Sequence, residues 1–213
     1  MFPRAGARTR APDETRERLL GAAFEEMFRN GFQAASLSTI LSKAGLTKGA
    51  LYHHFPDKAA LGIAVVEEVV RRPLLDAYLD PLRSATGDPL AALQAVLRRR
   101  ADDFEENGVD LGCPLNNMAQ EMSPLDERFR EAVESVLDDW VAGFTEALQR
   151  ARVAGSLRPD VDTRRVAAFL VASVEGSFGM AKNARSTALL RANLDVLADY
   201  LDTLRPAVPL RHA

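Results

Sequence analysis

Cysteine is almost absent from this chain of 213 residues, in which Cys113 is the single example. One cysteine excludes an intrachain disulfide framework and any multi-cysteine metal site. Long apolar runs are absent too: none approaches the roughly 20 residues that a membrane-spanning helix needs, and the N-terminus has no apolar segment of the secretory kind. We therefore expect a protein of the reducing cytoplasm with no membrane partner.

The sequence also has little that favours β-structure or catalysis. No run alternates polar and apolar residues as a half-buried strand does, whereas apolar residues recur at helical spacing throughout. We find no nucleophile with a base at supportable spacing, no phosphate-cradling glycine loop and no metal-ligand cluster. His53 and His54 are adjacent, and adjacent helical residues point about 100° apart, which disfavours a metal site. We therefore expect an all-α protein that is not an enzyme and has no cofactor.

Charge is unevenly distributed along the chain. The net charge of −3 would by itself argue against a nucleic-acid partner. Residues 1–58, however, hold nine Lys or Arg against six Asp or Glu, whereas residues 59–213 hold eighteen against twenty-four. One end of the molecule can thus approach phosphate while the other repels it, which favours a nucleic-acid-binding N-terminal part.

About nine helices are predicted from helical periodicity and capping residues. They are expected to begin near Asp13, Ser36, Thr47, Asp57, Asp88, Gly112, Ser123, Asp162 and Ser186. Glycine-containing stops are expected at Asn30-Gly31, Asn107-Gly108 and Ala154-Gly155, and a break or kink at Pro73. The predicted parts are a flexible basic arm with Arg4, Arg8 and Arg10 (1–12), a helix-turn-helix domain (13–58), a larger helical domain (59–205) and a tail (206–213).

Residues 36–55 have the pattern of a helix-turn-helix. Two helices that cross at a steep angle through a tight turn need a residue tolerant of positive φ, and Gly45 supplies it. The apolar residues expected beneath the crossing are Ile40, Leu46 and Leu51. The second helix is then expected to lie in the major groove of DNA, where free backbone N–H groups at its start attract phosphate.

The run from Ala44 to Lys58, AGLTKGALYHHFPDK, closely resembles the signature of the TetR family of transcriptional regulators. The resemblance extends to the first helix and to the Gly31-Phe32 pair after it, and chain length and helical pattern agree beyond that. It implies a three-helix DNA-binding domain followed by a larger ligand-binding and dimerisation domain. On this resemblance the DNA-contacting residues are Ser36, Ser38, Thr47, Lys48, Gly49, Tyr52, His53 and Lys58.

Dimerisation is expected because one short recognition helix binds DNA weakly. Two such helices about one DNA turn apart, roughly 34 Å, read a palindrome and gain affinity by linkage. Small residues line the predicted eighth helix and leucines line the ninth, a pattern that suits close packing across a two-fold axis or, alternatively, an internal core. The predicted interface residues are Ala172, Gly176, Gly179, Leu190, Leu194, Leu197 and Leu201.

The segment from Gly112 to Glu121 is the most unusual part of the C-terminal half. It places two asparagines, a glutamine and a glutamate on a short helix among apolar helices, where polar groups without partners would be costly to bury. We therefore expect a ligand cavity there, although each apolar residue assigned to its walls is, taken alone, more typical of plain core. The predicted ligand-binding residues are Phe104, Cys113, Asn116, Asn117, Glu121, Trp140, Phe144, Glu175 and Phe178.

Cys113 is expected at or near the N-cap of this short helix. There the helix dipole stabilises a thiolate and lowers the thiol pKa below its usual value of about 8.5, which favours reaction with oxidants or electrophiles. Some TetR-family regulators that sense such reagents are similar, with a Gly-Cys pair near this place. The alternative is that Cys113 is a small buried apolar residue.

These observations predict a ligand-responsive transcriptional regulator. The leading hypothesis is a dimeric repressor of a palindromic operator, released when a small molecule, or modification of Cys113, moves the fourth helix that links the two domains. An activator of the same fold is one alternative. An all-α enzyme or small-molecule-binding protein is the alternative from another class, and it would form no sequence-specific complex with DNA.

Overall fold

The computed structural model describes residues 11–104 and 109–207, and within these ranges the chain forms nine helices and no strand. The fourth helix consists of three consecutive segments. The helices are α1 (Ala11–Asn30), α2 (Leu37–Ala44), α3 (Lys48–His54), α4 (Lys58–Ala64, Val65–Val70 and Arg71–Ser84), α5 (Pro89–Asp102), α6 (Pro114–Met122), α7 (Glu127–Val153), α8 (Thr163–Ala184) and α9 (Thr187–Asp202). The predicted all-α class is therefore confirmed.

Three predicted features lie wholly or partly outside the described residues. These are the three arginines of the basic arm, the helix stop at Asn107-Gly108, and all but the first two residues of the tail. Helix α5 itself ends earlier than predicted, at Asp102. Helix α1 begins earlier than predicted, at Ala11, and ends at Asn30 as expected.

Six of the predicted start signals act as helix caps. In each case a side-chain oxygen accepts a hydrogen bond from a backbone N–H of the first turn, which satisfies a group that has no partner within the helix. The capping residues are Ser36, Thr47, Asp57, Asp88, Asp162 and Ser186. Local side-chain chemistry therefore sets most of the helix boundaries in this chain.

The predicted start of α7 at Ser123 is wrong. Ser123 ends α6 instead, because its N–H still donates to the Ala119 carbonyl. The N-cap of α7 is Asp126, whose carboxylate accepts a hydrogen bond from the Arg128 N–H at 2.9 Å. Residues 123–125 form the turn between the two helices.

Helix α4 does not break at Pro73. The chain stays helical to Ser84, but the segment Val65–Val70 is a π-helix, and the N–H of Arg71 donates to the carbonyl of Val66. Proline has no N–H and its ring crowds the carbonyl four residues earlier, so a helix that contains one needs a local change of hydrogen-bond register. The π-helical segment Val65–Val70 lies shortly before Pro73 and supplies such a change.

Helix α4 joins the two parts of the molecule. Helices α1, α2 and α3 pack together, and α1 also packs on α4. We call these three helices the DNA-reading unit, after the role predicted for them. We call the rest of the chain, from the last segment of α4 (Arg71–Ser84) to α9, the regulatory domain after the role predicted for it. In it α5 packs on α9, and α8 packs on α7 and α9. Both parts contribute to one continuous apolar core. None of the helices in the described ranges is long and apolar enough to cross a membrane.

Candidate DNA-binding surface and effector site

The corner between α2 and α3 has the geometry of a helix-turn-helix. Gly45 lies in the left-handed region, with φ 63° and ψ 40°, and the Leu46 N–H donates to the Leu41 carbonyl at 3.0 Å. Ile40 and Leu51 are buried beneath this corner, and Leu46 is partly buried. A residue with a Cβ would be strained at Gly45, so the glycine allows the tight crossing.

The residues predicted to contact DNA are mostly accessible. Lys48, Gly49 and His53 of α3 are exposed, and the Tyr52 side chain is 52% exposed although it is a large aromatic residue. Thr47 caps α3 by accepting a hydrogen bond from the Ala50 N–H at 3.3 Å. An exposed tyrosine next to an exposed lysine suits a surface that meets bases and phosphates.

The two serines of the same prediction lie at the start of α2. Ser36 is partly buried and caps α2, and its hydroxyl is 2.7 Å from the hydroxyl of the exposed Ser38. Their hydroxyls can still turn toward a phosphate, because each has more than one hydrogen-bonding site. Contact of these residues with DNA stays a prediction.

Lys58 differs from the other predicted contacts because its ammonium group is used within the chain. Its Nζ donates to the Gln33 carbonyl at 3.0 Å and lies 4.9 Å from the centre of the Phe32 ring. Partial burial lowers the pKa of Lys58, and the charge of Glu121 opposes that effect. Lys58 therefore fastens the start of α4 to the loop between α1 and α2.

One carboxylate of the regulatory domain holds the same loop. Glu121, near the end of α6, accepts hydrogen bonds from the backbone N–H groups of Phe32 at 2.8 Å and Gln33 at 2.7 Å. Gly31 approaches it so closely that a Cβ there would lie 3.1 Å from a Glu121 carboxylate oxygen. We call this the Glu121 bridge, and it connects α6 directly to the DNA-reading unit.

The apolar side of the same junction is tightly packed. The rings of Phe32 and Phe129 meet edge to face with centroids 4.8 Å apart. Gly62 of α4 lies against both, and a Cβ built there would be 2.6 Å from an atom of each ring. The DNA-reading unit and the regulatory domain are therefore in close contact at α4, with no room for even a methyl group.

The predicted ligand-binding residues fall into two places rather than one. Asn117 and Glu121 face a cleft of about 630 Å³ between the end of α1 and helix α6, where Lys182 Nζ also donates to Asn117 Oδ1 at 2.9 Å. The other place is the interior of the regulatory domain. It contains Phe104, Cys113, Trp140, Phe144, Glu175 and Phe178. Asn116 lies between the two, because its Nδ2 donates to the Glu175 carbonyl at 3.4 Å.

The interior place is an aromatic cluster around a largely buried arginine. The Arg100 guanidinium lies 4.8 Å from the centre of the Tyr78 ring and 5.3 Å from that of Phe104, and it pairs with Asp103. Trp140 packs against Tyr78, with ring centroids 4.3 Å apart and the ring planes tilted by 40°. The contacts with both rings place the Arg100 charge among aromatic faces, which attract cations.

This region also contains the buried polar atoms that lack partners. Among the described residues, four buried side-chain atoms have no hydrogen-bond partner of acceptable geometry. They are Tyr78 Oη, Arg100 Nε, Trp140 Nε1 and Glu175 Oε2. Buried polar atoms in folded proteins nearly always have partners, so a group of exceptions in one region makes that region the candidate effector site.

Cys113 is a buried thiol and not the reactive thiolate expected from its position. It is the N-cap residue of α6 but makes no capping bond, and its Sγ donates to Glu175 Oε1 at 3.3 Å. Burial, together with the adjacent carboxylate, raises the pKa of Cys113 well above its ordinary value. The helix dipole does not overcome these two effects, so the prediction of a lowered pKa is wrong.

Comparison with known proteins decides the family. The family described as "Bacterial regulatory proteins, tetR family" matches residues 19–65, and "Transcriptional regulator LmrA/YxaF-like, C-terminal domain" matches residues 89–195. The chain is also similar to the transcriptional regulator AcuR of Cereibacter sphaeroides, with 31% identity over 204 residues that cover 93% of this chain and 86% of AcuR. This chain belongs to the TetR family.

Other TetR-family proteins are similar over almost the whole chain. The regulator LmrA of Bacillus subtilis is 29% identical over 182 residues, which cover 83% of this chain and 92% of LmrA. The structure of reduced Escherichia coli NemR has a TM-score of 0.80 at 27% identity, covering 92% of this chain and 100% of NemR. The predicted family is thus confirmed, and the protein is a DNA-binding transcriptional regulator and not an enzyme.

The residues predicted to form the dimer interface fall into two groups, one buried and one exposed. The leucines of α9 belong to the core of their own subunit, because Leu190, Leu194 and Leu201 are fully buried and Leu197 is 6% exposed. Their side chains are therefore not available to a partner, which corrects their assignment to the interface. The three small residues of α8, by contrast, are exposed. They are Ala172, Gly176 and Gly179.

Large apolar side chains lie exposed on the same two helices. Phe169 and Met180 of α8 are 50% and 58% exposed, and Val196 of α9 is 70% exposed. Sequence periodicity favoured the leucines because they form the longest apolar stripe. Burial within the subunit and exposure at an interface cannot be separated by periodicity alone.

Sequence analysis missed two residues of the interior cluster. Tyr78 and Arg100 carry two of the four buried atoms without partners. Arg100 lies in a run of three arginines, Arg98 to Arg100, which is typical of a solvated helix face, and Tyr78 lies beyond Pro73, where the helix was expected to break. Neither position carries a local signal of its role.

Proposed function

We propose that the protein is a dimeric repressor that binds a palindromic operator through α3 and leaves it when a small molecule binds the regulatory domain. One observation carries this proposal: helix α6 contacts Glu175 at its start and the DNA-reading unit at its end. Cys113 and Asn116 bond to Glu175, and Glu121, near the other end of the same helix, accepts hydrogen bonds from Phe32 and Gln33. A change at the interior site is therefore one short, rigid helix away from the DNA-reading unit.

The dimer surface is proposed on the exposed faces of α8 and α9. Small residues let helix backbones approach closely, and exposed large apolar residues are costly unless a partner covers them. Both kinds occur there: Ala172, Gly176 and Gly179 beside Phe169, Met180 and Val196. Two subunits joined in this way would each present one α3 helix, and a separation of roughly 34 Å would match one turn of DNA.

Release is proposed to act through α6 as well as through α4. A ligand shifts a conformational equilibrium only by its differential affinity for the two states, so the effector must prefer the arrangement in which the two α3 helices do not match one DNA turn. Displacement of α6 would move Glu121 and, with it, the backbone of Phe32 and Gln33. Modification of Cys113 is not part of this mechanism, because the thiol is buried and its pKa is raised.

Operator binding is tested by gel shift with the region upstream of the protein's own gene, over a range of salt concentrations. The K48A variant should bind at least tenfold more weakly and show a smaller salt dependence, because it loses one phosphate-facing charge. The R152A variant removes an exposed charge from the end of α7 and should bind like the unmodified protein. Equal binding to random and palindromic duplexes would refute the proposed role of α3.

The sign of regulation is tested in cells with a reporter under the same upstream region. Deletion of the gene should raise transcription if the protein is a repressor. A fall in transcription would make it an activator instead. The operator-binding part of the proposal would stand in either case.

The Glu121 bridge is tested by hydrogen exchange at the backbone amides of Phe32 and Gln33. The E121A variant should expose both N–H groups and speed their exchange at least tenfold, because hydrogen bonds to charged groups contribute roughly 1.5–3 kcal/mol. The E131A variant, which removes an exposed carboxylate of α7, should leave both rates unchanged. Unchanged exchange in E121A would remove α6 from the proposed coupling.

A further inference from the structure

A small cavity lies between α6, α7 and α8, beside the aromatic cluster. Its volume is about 310 Å³, at the small end of the range of roughly 300–1,000 Å³ that is typical of ligand pockets. Most of the wall is apolar, and the apolar lining includes Leu115, Ala119, Leu137, Val141, Val171 and Ala172. The polar lining consists of Asn116, Gln120 and Glu175.

Glu175 is the one ionisable group in that wall. Its side chain is almost fully buried, Oε1 accepts the Cys113 thiol at 3.3 Å, and Oε2 has no hydrogen-bond partner. No lysine or arginine of the described ranges forms an ion pair with it. An unpaired buried carboxylate is costly, so the site is short of a positive charge.

The groups around Glu175 do not supply that charge. On the side of α6, Glu175 accepts hydrogen bonds from the Cys113 thiol and the Asn116 amide. On the side of α4, it interacts electrostatically with the Tyr78 hydroxyl. Arg100 of α5 lies off the cavity wall, stacked on Tyr78 and paired with Asp103. The side chains from α7 in the wall, Leu137 and Val141, carry no charge.

The polar wall residues on α6 are already engaged with one another. Gln120 Nε2 donates to Asn116 Oδ1 at 3.4 Å, and the Asn116 amide donates to the Glu175 backbone carbonyl. Neither amide bonds to the Glu175 carboxyl oxygen that lacks a partner. Glu175 is thus the polar residue of the cavity wall whose hydrogen bonding is incomplete.

We propose that this cavity binds a small amphipathic organic amine, whose ammonium group pairs with Glu175 and whose hydrocarbon part covers the apolar wall. Binding of the amine does not depend on the proposed function. Only its role as the effector rests on that function. Ala168 and Ala172, at the edge of the cavity, are exposed on the proposed dimer surface, so ligand and partner subunit meet on the same face of α8. Binding at Glu175 would also act on Cys113 and Asn116, and through them on α6.

Burial raises the pKa of Glu175 to about 7, which gives the proposed site a pH signature. The ammonium group of an amine stays protonated up to about pH 10, like that of lysine, so only the carboxyl changes charge near neutral pH. Ionised Glu175 is about tenfold more abundant at pH 8 than at pH 6, and the affinity for an amine should rise by the same factor. Neutral ligands should show no such dependence.

The test is isothermal titration calorimetry of the full-length dimer without DNA, with three matched probes. They are 2-phenylethylammonium, 2-phenylethanol and 3-phenylpropanoate. The amine should bind most tightly and about tenfold more tightly at pH 8 than at pH 6. The alcohol should bind weakly at both pH values, and the carboxylate should bind least. A carboxylate or alcohol that binds as well as the amine would overturn the proposal.

A variant pair ties the result to Glu175. E175Q keeps the size of the side chain and should lose at least tenfold in amine affinity together with the pH dependence, while alcohol binding is unchanged. E146Q removes an exposed carboxylate of α7 and should leave all three titrations as they were. Circular dichroism checks that both variants fold. Amine binding retained in folded E175Q would overturn the assignment.

A gel shift with the same amine separates this inference from the proposed function. If the amine binds in calorimetry but leaves the operator complex intact, the site stands and its role as the effector site fails. If the protein forms no operator complex at all, the proposed function fails while the calorimetric result keeps its meaning. Release of the operator by the amine, absent in E175Q, would support both.

Discussion

Two buried glutamates, one in each part of the molecule, have opposite surroundings. Glu26 of the DNA-reading unit is 6% exposed and accepts hydrogen bonds from Lys43 Nζ at 3.1 Å and Asn30 Nδ2 at 3.0 Å. These bonds lower its pKa. Glu175 of the regulatory domain is 9% exposed and pairs with no cation among the described residues, and burial raises its pKa to about 7.

The difference agrees with the roles proposed for the two parts: the DNA-reading unit pairs its buried carboxylate within the chain, whereas the regulatory domain, over the ranges that the structure describes, leaves its own without a cation. In the DNA-reading unit the buried carboxylate is neutralised within the chain, and side chains cap α2 and α3. In the regulatory domain all four buried polar atoms without partners, among the described residues, lie around one interior region. Each unsatisfied buried group costs free energy, and this concentration in one place supports the proposed effector site.

The largest expected effect is on the pH dependence of stability. Folded Glu175 holds its proton up to about pH 7, whereas the unfolded side chain loses it near its ordinary value of 4.5. The contribution of this group is therefore most favourable below pH 4.5 and is lost as the pH rises to 7. Between pH 5 and pH 8 the free energy of unfolding should fall by roughly 2–3 kcal/mol from this group.

Urea unfolding at fixed protein concentration measures the effect, with E175Q as the comparison. The difference in unfolding free energy between the two proteins isolates Glu175 from Glu26 and the other carboxylates, which both proteins share. The difference in unfolding free energy between the unmodified protein and E175Q should change between pH 5 and pH 8. A constant difference would mean that Glu175 is ionised or paired in solution, and the contrast between the two glutamates would disappear.

The next effect concerns Gly62, which lies where the two parts meet. In Gly62→Ala the new methyl group would overlap the rings of Phe32 and Phe129, so unfolding should become easier by about 1–3 kcal/mol. The matched control is Gly21→Ala on α1, where no atom lies within 4 Å of the added carbon. That change should stabilise α1 by up to about 1 kcal/mol. Two equal midpoints in thermal denaturation would contradict the close contact at the junction.

The smallest effect compares two hydroxyl groups, one from each part. Tyr78→Phe removes a buried hydroxyl that lacks a hydrogen-bond partner, so stability should stay the same or rise by up to about 1 kcal/mol. Thr47→Ala removes a hydroxyl that caps α3 and should cost about 1 kcal/mol. Chemical denaturation of the two variants measures the change in unfolding free energy, and its sign, for each. A loss in Tyr78→Phe as large as that in Thr47→Ala would mean that the Tyr78 hydroxyl has a partner in solution.

Sequence reasoning was most successful where local chemistry determines the structure. A cap, a turn glycine and a helical apolar stripe act over a few residues, so the starts of α2, α3 and α4 and the corner at Gly45 were predicted from their own residues. It was less successful where two signals compete. Ser123 and Asp126 are both capable caps within four residues, and the choice between them depends on how far α6 continues.

The sequence by itself determined the all-α class, the helix-turn-helix with its corner at Gly45, and membership of the TetR family. Only the tertiary structure decided that Glu121 bonds to the DNA-reading unit, that the α9 leucines belong to their own subunit, and that Glu175 lies unpaired beside a cavity. The physical reason is range: capping and turn formation join residues three or four positions apart, whereas burial and pairing depend on side chains brought together from distant helices.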